Sequence, residues 1–235
     1  MDERQAKRPE NLPEYSEAVL QALVSQGLAN KISLGGAFGL LHYLDYRQTH
    51  DVDAWWAGEI TSEEQQAVIE TIEVALHPFG QVAHRRWGDV VSIELTQERQ
   101  KTFSVQIARR SAQIAPATTA PWIDVPLDSF ADLVASKIVA LVERGAPRDF
   151  RDIHALCAAD LVTPDACWQL WQQRQSLAGS DIDRNRAQLA VITHLARIEQ
   201  HRPLNEIANA EARTAAKEVR HWFRYAFLGG LATDE

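Results

Sequence analysis

The pair Asp51-x-Asp53 enters the apolar run Ala54-Trp55-Trp56 and follows Gly35-Gly36 and a short apolar stretch; no other feature constrains this chain as much. Successive side chains of a strand point to opposite faces, so Asp51 and Asp53 share one face. Carboxylates side by side repel, and a strand that continues into tryptophans is poorly explained as a solvent loop. Mg²⁺ relieves such repulsion, binding one or two carboxylates and completing its shell with substrate phosphates. Upstream, Leu34-Gly35-Gly36-Ala37-Phe38-Gly39-Leu40-Leu41 reads as a strand–turn–helix junction. Glycine permits positive φ and close approach of a ligand, and the unpaired N–H groups opening the next helix favour a phosphate. The order therefore predicts an anion site beside a metal site, the two things a nucleoside triphosphate requires. Each half alone is ordinary: a glycine pair is most often a turn, and a lone Asp-x-Asp most often solvated surface.

A second group of residues lies on two later helices. Over residues 129–144, Phe130, Val134, Ile138 and Leu141 form one apolar stripe, with Lys137 on its flank beside Leu133 and Arg144 near the same line. A lysine there either snorkels over the core edge or faces a site. In Arg148-Asp149-Phe150-Arg151-Asp152-Ile153-His154-Ala155-Leu156-Cys157, Asp149 projects onto the apolar face and Asp152 sits at its border. A buried carboxylate needs a partner. Asp149 is thus either a site acid or the centre of an ion-pair network with Arg144, Arg148 or Lys137, while Asp152 reads as structural or capping.

Residues 35–55, with the glycine pair, Arg47-x-Thr49 and Asp51-x-Asp53, resemble the first motif of the AbiEii/AbiGii-type nucleotidyltransferase-like proteins, a branch of the polymerase-β-like superfamily. The lysine-bearing helix at Lys137 and the Arg148-Asp149-Phe150-x-Asp152 segment resemble that family's second conserved region. The similarity spans roughly residues 15–160. It implies an α+β fold, a small mixed sheet flanked by helices and followed by an all-helical C-terminal region, with residues 1–125 as the nucleotidyltransferase-like core and 126–235 as the helical part. It also implies a Mg²⁺-dependent transfer of a nucleoside monophosphate from an NTP to an RNA (tRNA) or protein acceptor. Asp51 and Asp53 would hold the metal, Gly35, Gly36 and Lys137 the phosphates; Arg47 and Thr49 would orient the nucleotide side, and Asp149 would be a second-region acid. The setting implied is a toxin–antitoxin or phage-defence system with a cognate antitoxin.

Relatives of this kind commonly carry a third carboxylate on the strand beside the Asp-x-Asp strand. Here the matching strand is expected over residues 102–108, where Gln106 takes that place; Glu94, in the strand expected over 90–95, would substitute if the neighbours differ. A neutral amide cannot accept a proton at pH 7. The alternative function is therefore a non-catalytic nucleotide- or partner-binding module on the same fold.

The remaining features bound the class. A helix is expected over 13–28. Thr61 and Glu64 stand in reciprocal capping-box positions before a stripe of Val68, Ile72, Ala75 and Leu76. Residues 1–12 read as polar and loose. No apolar run approaches the length of a membrane span, and the charged start Met1-Asp2-Glu3-Arg4-Gln5 lacks a signal-peptide core, so a cytoplasmic protein is expected. Cys157 and Cys167 offer no disulfide framework and read as inert thiols. The eight histidines are scattered, without His-x-x-x-His spacing, which argues against zinc. Net charge is −8, but residues 184–224 carry eight Lys/Arg against four Glu, a local +4, leaving −8 − 4 = −12 for the rest. That basic stretch reads as solvated helix faces, or as steering for a nucleic acid.

Overall fold

The computed structural model describes residues 5–230, and the charged start at residues 1–4 lies outside them. The chain divides into two compact units, one ending at Leu133 and the other beginning at Val134.

In the first unit, helix α1 (Glu14–Ser25) precedes strand β1 (Ile32–Gly35), helix α2 (Gly36–Leu41), strand β2 (Asp51–Trp56) and helix α3 (Ser62–Leu76). Strands β3 (Gln81–Trp87), β4 (Val90–Gln97) and β5 (Gln100–Ala108) follow as a meander, and the two-residue strands β6 (Thr118–Thr119) and β7 (Pro126–Leu127) close the series. Together they form one mixed sheet in the order β3-β4-β5-β2-β1-β7-β6. The pairs β2–β5 and β1–β7 are parallel and the others antiparallel.

Alternation decides which face is which. Leu34, Val52, Ala54, Val91, Ile93, Leu95, Phe103, Val105 and Ile107 are buried on one face, against Val19, Leu20 and Leu23 of α1 and Val68, Ile69, Ile72 and Leu76 of α3. The opposite face carries the intervening residues: Ser33 and Gly35, Asp51 and Asp53, Ser104 and Gln106, Ser92 and Glu94. The helices hold the sheet from one side, so the polar row is rigidly mounted. α3 begins with the reciprocal capping box anticipated from the sequence, Glu64 N–H to Thr61 Oγ1 and Thr61 N–H to Glu64 Oε2.

Two elements differ from expectation. β3, Gln-Val-Ala-His-Arg-Arg-Trp, has no apolar alternation because it is an outer strand paired only with β4 and exposed along most of its length. The described part of the N-terminal segment is tied down rather than loose: Lys7 N–H bonds to the His42 carbonyl, Arg8 pairs with Glu17, and the N–H groups of Glu10 and Asn11 reach the Asp45 carboxylate.

From Phe130 onward the regular structure is helical: α4 (Phe130–Glu143), α5 (Pro147–Ala158), α6 (Pro164–Leu177), α7 (Arg184–His201) and α8 (Ala210–Trp222), which runs into a π-helical turn, Phe223–Phe227. Proline at the first position of α5 and α6, and Thr163, Asp183 and Asn209 as N-caps, fix the starts. In the second unit Phe150, Trp168, Phe223 and Phe227 share an aromatic core. Both cysteines are free thiols; Cys157 beside it, and then burial, push the Cys167 thiol up. Among the described residues no helix is long and apolar enough to cross a membrane.

Candidate active site

β1 delivers Gly35 opposite Asp53 of β2, and α2 starts at the next residue. The clearance supplied by the two glycines is taken up by side chains of β2. Gly36 has φ +58°, and a Cβ there would lie 2.0 Å from Asp53 Oδ2 and 2.6 Å from Asp53 Cβ. A Cβ on Gly35 would lie 2.5 Å from the Trp55 indole nitrogen. The glycine pair thus seats Asp53 and Trp55 against the start of α2.

On its other side β2 pairs in parallel with β5, with Asp51 opposite Ser104 and Asp53 opposite Gln106. Asp51 Oδ1 accepts a 2.6 Å hydrogen bond from the buried Ser104 hydroxyl. Lys101 Nζ lies 3.1 Å from Ser104 Oγ and 3.5 Å from Asp51 Oδ1. These two contacts fix the Asp51 carboxylate in place and leave it about one-third exposed. Glu94 is opposite Ser104 on β4, so it stands two strands, about 10 Å, from Asp51 on the same face. Gln106, rather than Glu94, is the residue beside Asp53. Among the described residues no group of three or more His, Cys, Asp or Glu side chains is placed to hold a metal ion.

The donor set still fits Mg²⁺. Two hard-oxygen carboxylates on one strand face are what Mg²⁺ takes from a protein when phosphates supply the remainder. A phosphate at the start of α2 would also lie beside the Asp53 carboxylate, an arrangement that needs a cation between them.

Thr49 and Arg47 serve the entry to β2. Thr49 is buried; its hydroxyl donates to the Asp51 carbonyl and accepts from the Asp51 N–H, setting the first turn into the strand. Arg47 donates to the Gln48 carbonyl and lies 5.7 Å over the Tyr46 ring. Gly35, Gly36, Thr49, Asp51 and Asp53 therefore come together within the first unit.

Lys137 and Asp149 belong to the second unit, each paired inside it. Lys137 is buried, with its ammonium 2.8 Å from the fully buried Asp152 carboxylate. Asp149, also fully buried, is held by two 2.9 Å bonds from Arg144 and receives the Ala146 N–H at the start of α5. Of the three cations expected as candidates for Asp149, Arg144 is the partner, and Asp152 is the carboxylate that meets Lys137.

A second polar cluster, unannounced by any local pattern, lies on the face of Asp53. The buried Asp128 accepts from Ser33 Oγ at 2.5 Å and from Arg110 at 2.7 Å, and Arg110 lies 5.8 Å over the Trp55 ring. Burial pushes the Asp128 carboxyl up, against the lowering effect of Arg110. The cluster borders a cleft of about 1050 Å³ lined by Ser33, Arg109, Arg110, Thr118 and Pro126. Its only sequence signal is the Arg109-Arg110 doublet leaving β5.

Compared with known proteins, residues 18–224 match the family model described as "Nucleotidyl transferase AbiEii toxin, Type IV TA system". No curated protein matches the chain at a significant level. Among solved structures, a protein from H. pylori assigned as a nucleotidyltransferase aligns at TM-score 0.54 and 15% identity, over 91% of this chain and 92% of that one. An antigenic nucleotidyltransferase-like protein from Paracoccidioides brasiliensis aligns at TM-score 0.40 and 14% identity, over 86% and 91%. The antibiotic-resistance factor ANT(2'')-Ia aligns at TM-score 0.39 and 12% identity, over 80% and 94%. The mixed sheet with its flanking helices is thus a nucleotidyltransferase fold, as the first of these shares it.

Proposed function

The chain belongs to the AbiEii nucleotidyl transferase toxin family, and on that premise we propose that it moves a nucleoside monophosphate from an NTP to a hydroxyl of an RNA, such as a tRNA, or of a protein. The observation that carries this reading is the placement of Asp51 and Asp53 on one strand face, with Asp53 seated against the Gly35-Gly36 junction and Asp51 fixed by Ser104. In the transfer, the acceptor hydroxyl oxygen forms a bond to the α-phosphorus and releases its proton to solvent, the bond from that phosphorus to the β-bridging oxygen breaks, and pyrophosphate leaves. Asp51 and Asp53 would hold Mg²⁺, which when bound offsets the charge of the triphosphate and polarises its α-phosphate.

The chain's own residues supply position. Ser104 and Lys101 keep Asp51 from turning away, and Gly36 fixes how deep Asp53 sits. Thr49 and Arg47 shape the entry to β2 on the nucleotide side. Lys137, whose ammonium pairs with Asp152, would be the lysine for substrate phosphates, and Arg144 with Asp149 clamps the start of α5. In-line transfer asks mainly for positioning and charge neutralisation, which such a set supplies. The biological setting that follows from the family is a toxin–antitoxin pair with a cognate antitoxin.

Gln106 beside Asp53 favours a second reading, a module that binds the nucleotide without turning it over. Calorimetric titration of NTP with and without Mg²⁺ tests the shared premise. Binding that requires Mg²⁺ and disappears in Asp51→Ala and Asp53→Ala supports a nucleotide site. Metal-independent binding, or none, defeats both readings.

A further inference from the structure

The register of the sheet connects the aspartates to its outer edge. Asp53 stands opposite Gln106, Gln106 opposite Ser92, and Ser92 opposite Arg85 of β3. The next row runs from Trp55 through Ala108 and Val90 to Trp87. In-register partners point to the same face, so Arg85 and Trp87 lie on the face of Asp51 and Asp53, three strand spacings or about 14 Å away. Between them the Ser92 hydroxyl is buried and has no partner among the described residues.

This edge has an unusual charge. His84-Arg85-Arg86 is a run of three basic residues in the part of the chain that carries −12. His84 turns to the helical side and pairs with Glu73 at 2.7 Å. Arg85 and Arg86 are exposed, with no carboxylate partner among the described residues, and Trp87 is 51% exposed. Arg86, paired with Val91, shares the helical side with His84, whereas Arg85 and Trp87 stand together on the aspartate face. An uncompensated guanidinium beside a bare indole presents the chemistry that single-stranded nucleic acid uses, a cation for a phosphate and an aromatic face for an unstacked base. A protein partner would be expected to bury Trp87 among apolar neighbours, whereas β3 offers it Arg85 and the turn residues Gly88 and Asp89.

We propose that the outer strand β3 is the docking surface for a single-stranded segment of an RNA acceptor, with a base stacked on Trp87 and a phosphate on Arg85, so that the segment leads along the sheet to Asp51 and Asp53. The proposal rests on the reading of those aspartates as the transfer site, and it deepens that reading by assigning the acceptor to RNA. It also explains why a strand so poor in apolar residues is kept at the edge: its side chains meet the substrate instead of a core.

The test uses the full chain and a fluorescent single-stranded RNA of about 12 nucleotides, a length within the range one such surface covers. Anisotropy titrations between about 50 and 200 mM salt compare the wild type with Arg85→Ala/Trp87→Ala. Affinity is expected to fall at least about tenfold on loss of the stacking ring and the phosphate contact. The slope of log K against log salt is expected to flatten by about 0.7, the share of one phosphate on a single strand. Arg85→Glu alone is expected to act in the same direction and serves if the double variant does not fold. Unchanged affinity and slope in a folded variant overturn the proposal, as does equal binding of duplex RNA. Label transfer to a protein that depends on Trp87 would overturn it too, reassigning the edge to a protein acceptor. If RNA binding depends on β3 but Mg²⁺-dependent NTP binding fails, the surface stands and the transfer reading falls. The opposite pattern removes the surface and leaves that reading intact.

Discussion

Gly36→Ala tests how tightly the fold specifies the position of Asp53. The new Cβ would stand 2.0 Å from Asp53 Oδ2, where ordinary contact begins at 3.4 Å, so the oxygen must withdraw by 3.4 − 2.0 = 1.4 Å. Rotating the carboxylate does not suffice, because Asp53 Cβ itself would be only 2.6 Å away; β2 or the start of α2 must move. The backbone adds its own cost: at φ +58° an alanine is disfavoured by about 1–2 kcal/mol, and forced overpacking adds about 1–3 kcal/mol. Gly27→Ala is the matched control, with φ +67° and nothing within 4 Å of the added carbon, so it carries the backbone cost alone. In urea unfolding, Gly36→Ala is expected to lose about 1–3 kcal/mol more than Gly27→Ala, the overpacking share. Displacing a reacting group by about 1 Å costs about a hundredfold, so Mg²⁺-dependent NTP binding or transfer should fall by that order in Gly36→Ala and stay level in Gly27→Ala. Equal stability losses and unaltered nucleotide affinity in the two variants would refute the claim that Gly36 sets the depth of Asp53.

Other perturbations probe the frame around the site. Lys137→Met leaves the fully buried Asp152 without its cation and is expected to cost about 3–5 kcal/mol in urea unfolding, while Lys137→Met/Asp152→Leu should recover more than half of that loss. Thr61→Ala removes the N-cap half of the box that starts α3, and a loss of about 1 kcal/mol is expected by the same assay. His42 is buried with Nδ1 donating to the Phe38 carbonyl and Nε2 accepting from the Trp122 indole, so burial holds its pKa below the ordinary value of 6.5. Below that value the unfolded chain takes up a proton that the folded imidazole refuses. This contribution is therefore complete above about pH 6.5 and lost as pH falls toward the lowered folded value, by up to about 1.4 kcal/mol per pH unit. Stability curves of His42→Gln should be flatter over that window, retaining only the slope of groups such as His154, which burial also lowers.

What could be read in advance follows the range of the interaction. Strands β2, β4 and β5 announce themselves because one face of each is buried and the alternation of residues records it. The box at Thr61 and Glu64 is a contact across three positions, visible in the sequence as spacing. β3 left no such trace: an edge strand with exposed side chains has nothing to alternate against, so no periodicity marks it as a strand. The surroundings of Asp51 were hidden for another reason. Ser104 and Lys101 reach it only because β2 and β5 pair in parallel across some fifty residues, and no local pattern encodes that register. For Asp149 the apolar face already required a partner and Arg144 was among the candidates. That Lys137 would meet Asp152 depends on the packing of α4 on α5, which single-helix periodicity does not specify. The glycine pair was legible as a strand–turn–helix junction, whereas the side chains that fill its clearance, Asp53 and Trp55, required coordinates.

The account stands or falls on label transfer. Purified protein with Mg²⁺ and each α-labelled NTP is incubated with total tRNA and, separately, with protein extract, beside Asp51→Ala/Asp53→Ala. The account predicts a labelled acceptor with the wild type, dependent on Mg²⁺ and absent with the double variant, and the labelled fraction names both base and acceptor class. A wild type that binds NTP with Mg²⁺ yet labels nothing would contradict catalysis and leave a binding module with Gln106 where a third carboxylate would act.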